Sequence, residues 1–133
     1  MIPKFRFWDK DEKYFIKEAT IVLNKDGSVE GIEYYHTKLG DSVYNDISYY
    51  EIMQSTGLFD LDGNEIYIGD ILKIEDEYNQ VVFHEDNTTY GIYLEDKEGG
   101  GNPISDYSTR ISLSHIKGII EGNIYQHPHL LEE

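Results

Sequence analysis

The apolar residues of this chain recur with a period of two, in short β-branched and aromatic runs divided by turn residues. That spacing builds sheets rather than helices. Phe5 and Phe7 alternate with Lys4 and Arg6, and Tyr14 and Ile16 flank Phe15. The run 19–23 (Ala-Thr-Ile-Val-Leu) ends at Asn24-Lys25-Asp26-Gly27, an Asp-Gly turn signal, and 28–35 then repeats Ile32 and Tyr34. These two runs are expected to pair as a hairpin. Residues 51–55, 65–68, 71–74, 81–83, 90–94 and 116–121 read as further strands. Turns are expected at Asp60-Leu61-Asp62-Gly63-Asn64 and Gly69-Asp70, and His84-Glu85-Asp86-Asn87-Thr88 closes a second hairpin. A loop opens at Gly99-Gly100-Gly101 and runs to Tyr107, while 49–54 and 128–133 leave room for short helical turns. Twelve tyrosines fit a pleated, half-buried surface better than a helix interior. Short strands with turns between them make a mostly β chain, a small barrel or sandwich with little helix. At 133 residues with no repeat or linker, 1–133 is read as a single domain.

Charge narrows the function classes. The chain has 26 Asp and Glu against 11 Lys and Arg, a formal −15. Phosphate binding is carried by clustered Lys and Arg, so direct nucleic-acid binding is not expected. No apolar run approaches the roughly 20 residues that a bilayer requires, and no charged segment followed by an apolar one opens the chain. No membrane partner and a cytoplasmic location are therefore expected. With no Cys, disulfides, thiolate metal sites and cysteine nucleophiles are absent. The excess charge is concentrated: residues 60–98 hold 12 acids and 2 bases, whereas 1–50 hold 9 acids and 7 bases. Its densest points, Glu75-Asp76-Glu77, Glu85-Asp86 and Glu95-Asp96, all fall at expected strand ends. On one side of a barrel they would form an acidic face.

Three segments resemble the YopX-like family of small bacteriophage and prophage proteins. Lys4-Phe5-Arg6-Phe7-Trp8-Asp9-Lys10 is close to the family's K-F-R-x-W-D opening. Met53-Gln54-Ser55-Thr56-Gly57-Leu58 runs through Asp60, Asp62-Gly63 and Glu65-Ile66-Tyr67 to Gly69-Asp70-Ile71. Gly118-Ile119-Ile120-Glu121-Gly122-Asn123-Ile124-Tyr125, then Pro128 and Leu130-Leu131, is similar to the family's I-G-N-I-Y-x-N-P-x-L-L ending. Glu121 is inserted before Gly122, and His127 stands where the family has Asn. The resemblance implies a mostly β protein with an SH3-like barrel, phage or prophage origin, a bacterial host cytoplasm and no established activity. The barrel motif is expected mainly within 51–125, with additional N-terminal strands before it and a C-terminal tail over 126–133.

No catalytic motif is found. Asp60, Asp62 and Glu65 resemble part of a calcium loop, but Gly63 falls at the fourth position and Ile71 where a bidentate Glu belongs. A hairpin turn is the plainer reading. His127 and His129, with His115, have the side chains for a divalent metal but lie near the chain end. Ser112, Ser114 and His115 are expected to alternate across a strand, which separates serine from base. Nothing singles out two carboxylates as a glycosidase pair. Phe5, Phe7, Trp8 and Phe83 are expected in the core, and Tyr34-Tyr35 and Tyr49-Tyr50 to split between core and surface. The functional expectation is a non-enzymatic accessory protein with no cofactor. It would bind an unidentified protein partner through Glu75, Asp76, Glu77, Glu85, Asp86, Glu95 and Asp96, in a sharper version as a mimic of DNA. Self-association as a scaffold protein is the alternative, and a metal-assisted hydrolase ranks below it.

Overall fold

A computed structural model describes residues 4–86 and 88–132 of the chain. Asn87 of the expected hairpin turn and Glu133 of the expected tail turn lie outside the described residues. The described residues are mostly β, with helix confined to three short 3-10 turns. Contacts gather them into two compact units: Phe5–Met53, and Lys4 together with residues 54–132.

The N-terminal unit contains β1 (Phe5–Asp9), β2 (Tyr14–Ile16), β3 (Thr20–Leu23), β4 (Val29–His36) and β5 (Asp41–Asp46), and the start of β6 (Tyr50–Phe59). The expected hairpin is present, with Thr20 opposite Glu33 and Ile21 opposite Ile32. A third strand, β5, extends this sheet along β4. Sequence reading misses it because Asp41-Ser42-Val43-Tyr44-Asn45-Asp46 offers few apolar residues. β5 needs few: it pairs on one side only, in the order β3-β4-β5. Phe7, Ile16, Ile32, Tyr34 and Tyr50 form the core, with Phe5 packed against it. Trp8 is also buried. Alternation divides the tyrosine pairs as expected. Tyr34 and Tyr50 are 8% and 4% exposed, their neighbours Tyr35 and Tyr49 62% and 51%.

The C-terminal unit contains the end of β6, then β7 (Glu65–Tyr67), β8 (Asp70–Ile74), β9 (Glu77–Glu85), β10 (Tyr90–Glu95), β11 (Gly101–Pro103) and β12 (Ile119–Asn123). β8 to β11 form an antiparallel meander. A 3-10 turn at Ile104–Tyr107 follows, and β12 then returns to pair with β8, giving the order β11-β10-β9-β8-β12. This is the strand order of an SH3-like barrel, and the sheet curls as half of one. Ile66, Leu72, Val81, Leu94, Ile104 and Ile116 fill its interior. The expected last strand lies a little later than 116–121, and the expected loop after Gly101 contains β11 and the 3-10 turn. Phe83 is not core but 46% exposed. β8 pairs with β9 only as far as Gln80, so the sheet is narrower at Phe83 and its ring packs edge-on to Tyr90 instead.

Candidate functional site

The acidic residues follow from the meander. Each hairpin reverses the chain, so successive turns alternate between the two ends of the sheet. The β8–β9 turn carries Glu75 and Asp76, and Glu77 begins β9. The β10–β11 turn carries Asp96 and returns to that same end. Glu85 and Asp86 lie at the other end of β9. Eight residue steps at about 3.3 Å put them roughly 26 Å away. The seven acids therefore do not share one face.

At the first end, Asp76, Glu77, Asp96 and Glu98 line an open cleft of about 330 Å³, with Lys97, Tyr78 and Leu130. Four carboxylates face one ammonium there. Glu75, exposed beside the cleft, has positive φ, and among the described residues nothing bonds to its carboxylate or to those of Asp76 and Glu77. Asp96 also shapes its own turn, because its Oδ1 accepts the amides of Glu98 and Gly100. Glu95 does not line the cleft, because its carboxylate bonds Nε2 of His84, whose ring stacks on Tyr93 at 4.3 Å. Asp86 is occupied by its own hairpin. It accepts the amides of Thr88 and Thr89 and both threonine hydroxyls, and these bonds hold its carboxyl down at about 2. Glu98, Tyr78 and Leu130 are the residues that sequence reading misses. Glu98 was legible, since it sits in the turn that carries Asp96. Leu130 was not, because its 3-10 turn at Pro128–Leu131 meets β9 only through the fold.

The family described as YopX protein matches residues 4–132, nearly the whole chain. The chain belongs to the YopX protein family. Among solved structures, it is similar to protein EF1440 from Enterococcus faecalis. The two are 27% identical, with a TM-score of 0.69 and 99% of each chain covered. No curated protein matches the chain.

The motifs that this YopX protein shares with its family build the fold. Asp60 is fully buried; its Oδ1 accepts the amides of Asp62 and Asn64, and its Oδ2 accepts that of Ile120 in β12. One carboxylate thus folds the 60–64 turn and ties it to the last strand. Ser55 and Thr56 serve the irregular pairing of β6 with β7. Their hydroxyls accept the amides of Gly57 and Leu58, and Thr56 donates to the carbonyl of Ile66. Gly69, at φ +100°, and Asp70, whose Oδ2 accepts the amide of Tyr67, make the corner from β7 into β8. Glu65 bonds Ser55 Oγ and Lys4, and these partners lower its pKa against the effect of burial, the Ser55 bond contributing most. Asp60 and Glu65 therefore have structural partners in place of a calcium ion.

The histidines are not gathered into a ligand set. His127 Nδ1 accepts the amide of Asn123, and His115 lies stacked on Phe59. Ser112 and Ser114 bond one another, in a loop rather than the expected strand. Among the described residues there is no cluster of His, Asp or Glu fit to hold a metal ion, and no helix long and apolar enough to cross a membrane.

Proposed function

We propose that this YopX protein is a non-enzymatic accessory protein that binds a basic surface of another protein through the acidic cleft of its C-terminal unit. The observation that carries this reading is the convergence of Asp76, Glu77, Asp96 and Glu98 on one open cleft beside the exposed Glu75. Charge of one sign in a concave surface focuses the field, speeds encounter with an oppositely charged partner and repels nucleic acid. Tyr78 and Leu130 add apolar area, which steering charges alone do not provide. The family resemblance supports phage or prophage origin and a partner in the bacterial cytoplasm. In its sharper form, the carboxylates occupy the phosphate-binding surface of a host DNA-binding protein. Glu85 and Asp86 are at the far end of the sheet and have no part in this contact.

Three immobilised proteins test the reading against nuclease-treated host lysate: the wild type, a variant with Asp76→Asn, Glu77→Gln and Glu98→Gln, and a Glu85→Gln control. The wild type and the control are expected to retain the same basic protein, released by salt, and the cleft variant to lose it. Competition by duplex DNA would support mimicry. Retention of one set of proteins by all three baits would remove the cleft as the contact.

A further inference from the structure

The N-terminal unit has a cleft of a different character. It measures about 400 Å³, its walls include Tyr14, Tyr34, Tyr49 and Tyr50, and Asp9 and Glu12 are among its carboxylates. No Lys or Arg lines it among the described residues.

Three of the phenols are tied to one another. Asn45 Nδ2 donates to the Tyr50 hydroxyl at 2.9 Å, the Tyr50 and Tyr34 hydroxyls bond at 3.1 Å, and Tyr14 bonds Tyr34. With these hydroxyls engaged, a ligand meets ring surface more than free polar groups. Asp9 is the exception. It is only 7% exposed, and its Oδ1 accepts the amides of Asp11 and Glu12, whereas its Oδ2 has no protein hydrogen bond among the described residues. That oxygen is not sealed from water, and a cationic donor entering the cleft would bond it.

The field has the matching sign. Burial, the bond to Tyr34 and the nearby charges of Tyr34, Asp9 and Glu12 together push the Tyr14 hydroxyl up to about 12. An anion would find no Lys or Arg in the lining, whereas a cation would find the exposed ring faces of Tyr14 and Tyr49, each with a negative quadrupole, and carboxylates close by.

We propose that this cleft takes an organic cation, the guanidinium or ammonium end of an arginine or lysine side chain, held by the exposed rings of Tyr14 and Tyr49 and the carboxylates of Asp9 and Glu12. The site lies within residues 9–50 and does not depend on the acidic cleft of the C-terminal unit.

Titration with Nα-acetyl-arginine amide, followed through the tyrosine ring signals by NMR, tests it. The citrulline counterpart keeps the shape and removes the charge. The arginine compound is expected to shift the signals of Tyr14 and Tyr49 saturably, and the citrulline compound to leave them in place. Glu12→Gln and Tyr49→Ala should each weaken binding about tenfold. Their thermal midpoints should match the wild type, and Asp76→Asn with Glu77→Gln should leave the affinity unchanged. A Gly-Arg-Gly peptide that binds more tightly than the amide identifies a side chain presented on a protein segment, and equal affinity identifies a free small cation. Equal binding of the citrulline compound, wild-type affinity in both cleft variants, or no saturable shift would each overturn the proposal.

Discussion

At the scale of single residues, the polar groups of the family motifs act as substitutes for backbone partners. Asp60 shows this most fully, since each carboxylate oxygen accepts from the main chain and the side chain is sealed from water. Asparagine would keep the shape but turn an amide donor toward at least one of those N–H groups. Asp60→Asn is therefore expected to cost about as much stability as Asp60→Ala, roughly 3 kcal/mol in each case. Urea unfolding measures both, and an asparagine variant within about 0.5 kcal/mol of wild type would mean that Asp60 does not hold β12 in solution. The C-terminal motif follows the same logic. A Cβ on Gly122 would clash with Nδ1 of His127, the nitrogen that accepts the Asn123 amide. An asparagine oxygen can accept the same bond, which explains how His127 replaces the family's Asn without loss of the turn.

At the scale of elements, the hairpins are governed by the acids at their turns. Asp86 closes the β9–β10 hairpin with bonds that its protonated form cannot all keep. Its folded pKa of about 2 lies below the usual 3.8, so its contribution is complete above about pH 4 and disappears as pH falls toward 2. The amide signals of Thr88 and Thr89 should therefore titrate together near pH 2, and a midpoint near 3.8 would show the turn bonds to be absent in solution. Most of the elements were legible because Val, Ile, Tyr and Phe alternate in them and Asp-Gly or Gly-Asp divides them. β5 escaped because an edge strand with one neighbour can be polar. The expected acidic face failed to gather all seven acids for a topological reason. Acid clusters at 75–77, 85–86 and 95–96 are one strand apart, and in a meander one strand carries the chain to the opposite end of the sheet. Only every second turn is a neighbour in space. The tyrosine cleft escaped because Tyr14, Tyr34 and Tyr50 belong to three strands whose hydroxyls meet only after folding.

At the scale of the molecule, the charge is divided as unevenly as the folding units. Residues 54–132 carry 15 acids and 4 bases, whereas residues 5–53 carry 10 acids and 6 bases. Self-repulsion within a compact unit opposes folding, and salt relieves it once the Debye length falls below the spacing of the charges. That length shrinks from roughly 20 Å at about 20 mM salt to roughly 4 Å at about 500 mM. Sodium chloride is the suitable salt, because a strongly excluded one such as sulfate would stabilise every buried apolar surface alike. Amide exchange at the two salt concentrations separates the units without substitution. Protection in β8, β9, β10 and β12 should rise with salt by more than protection in β3, β4 and β5, since the relieved repulsion is largest where the acids are. Equal gains would mean that the carboxylates of the C-terminal unit are already far enough apart in water to be indifferent to one another. The acidic cleft would then lack the focused field on which its proposed partner depends.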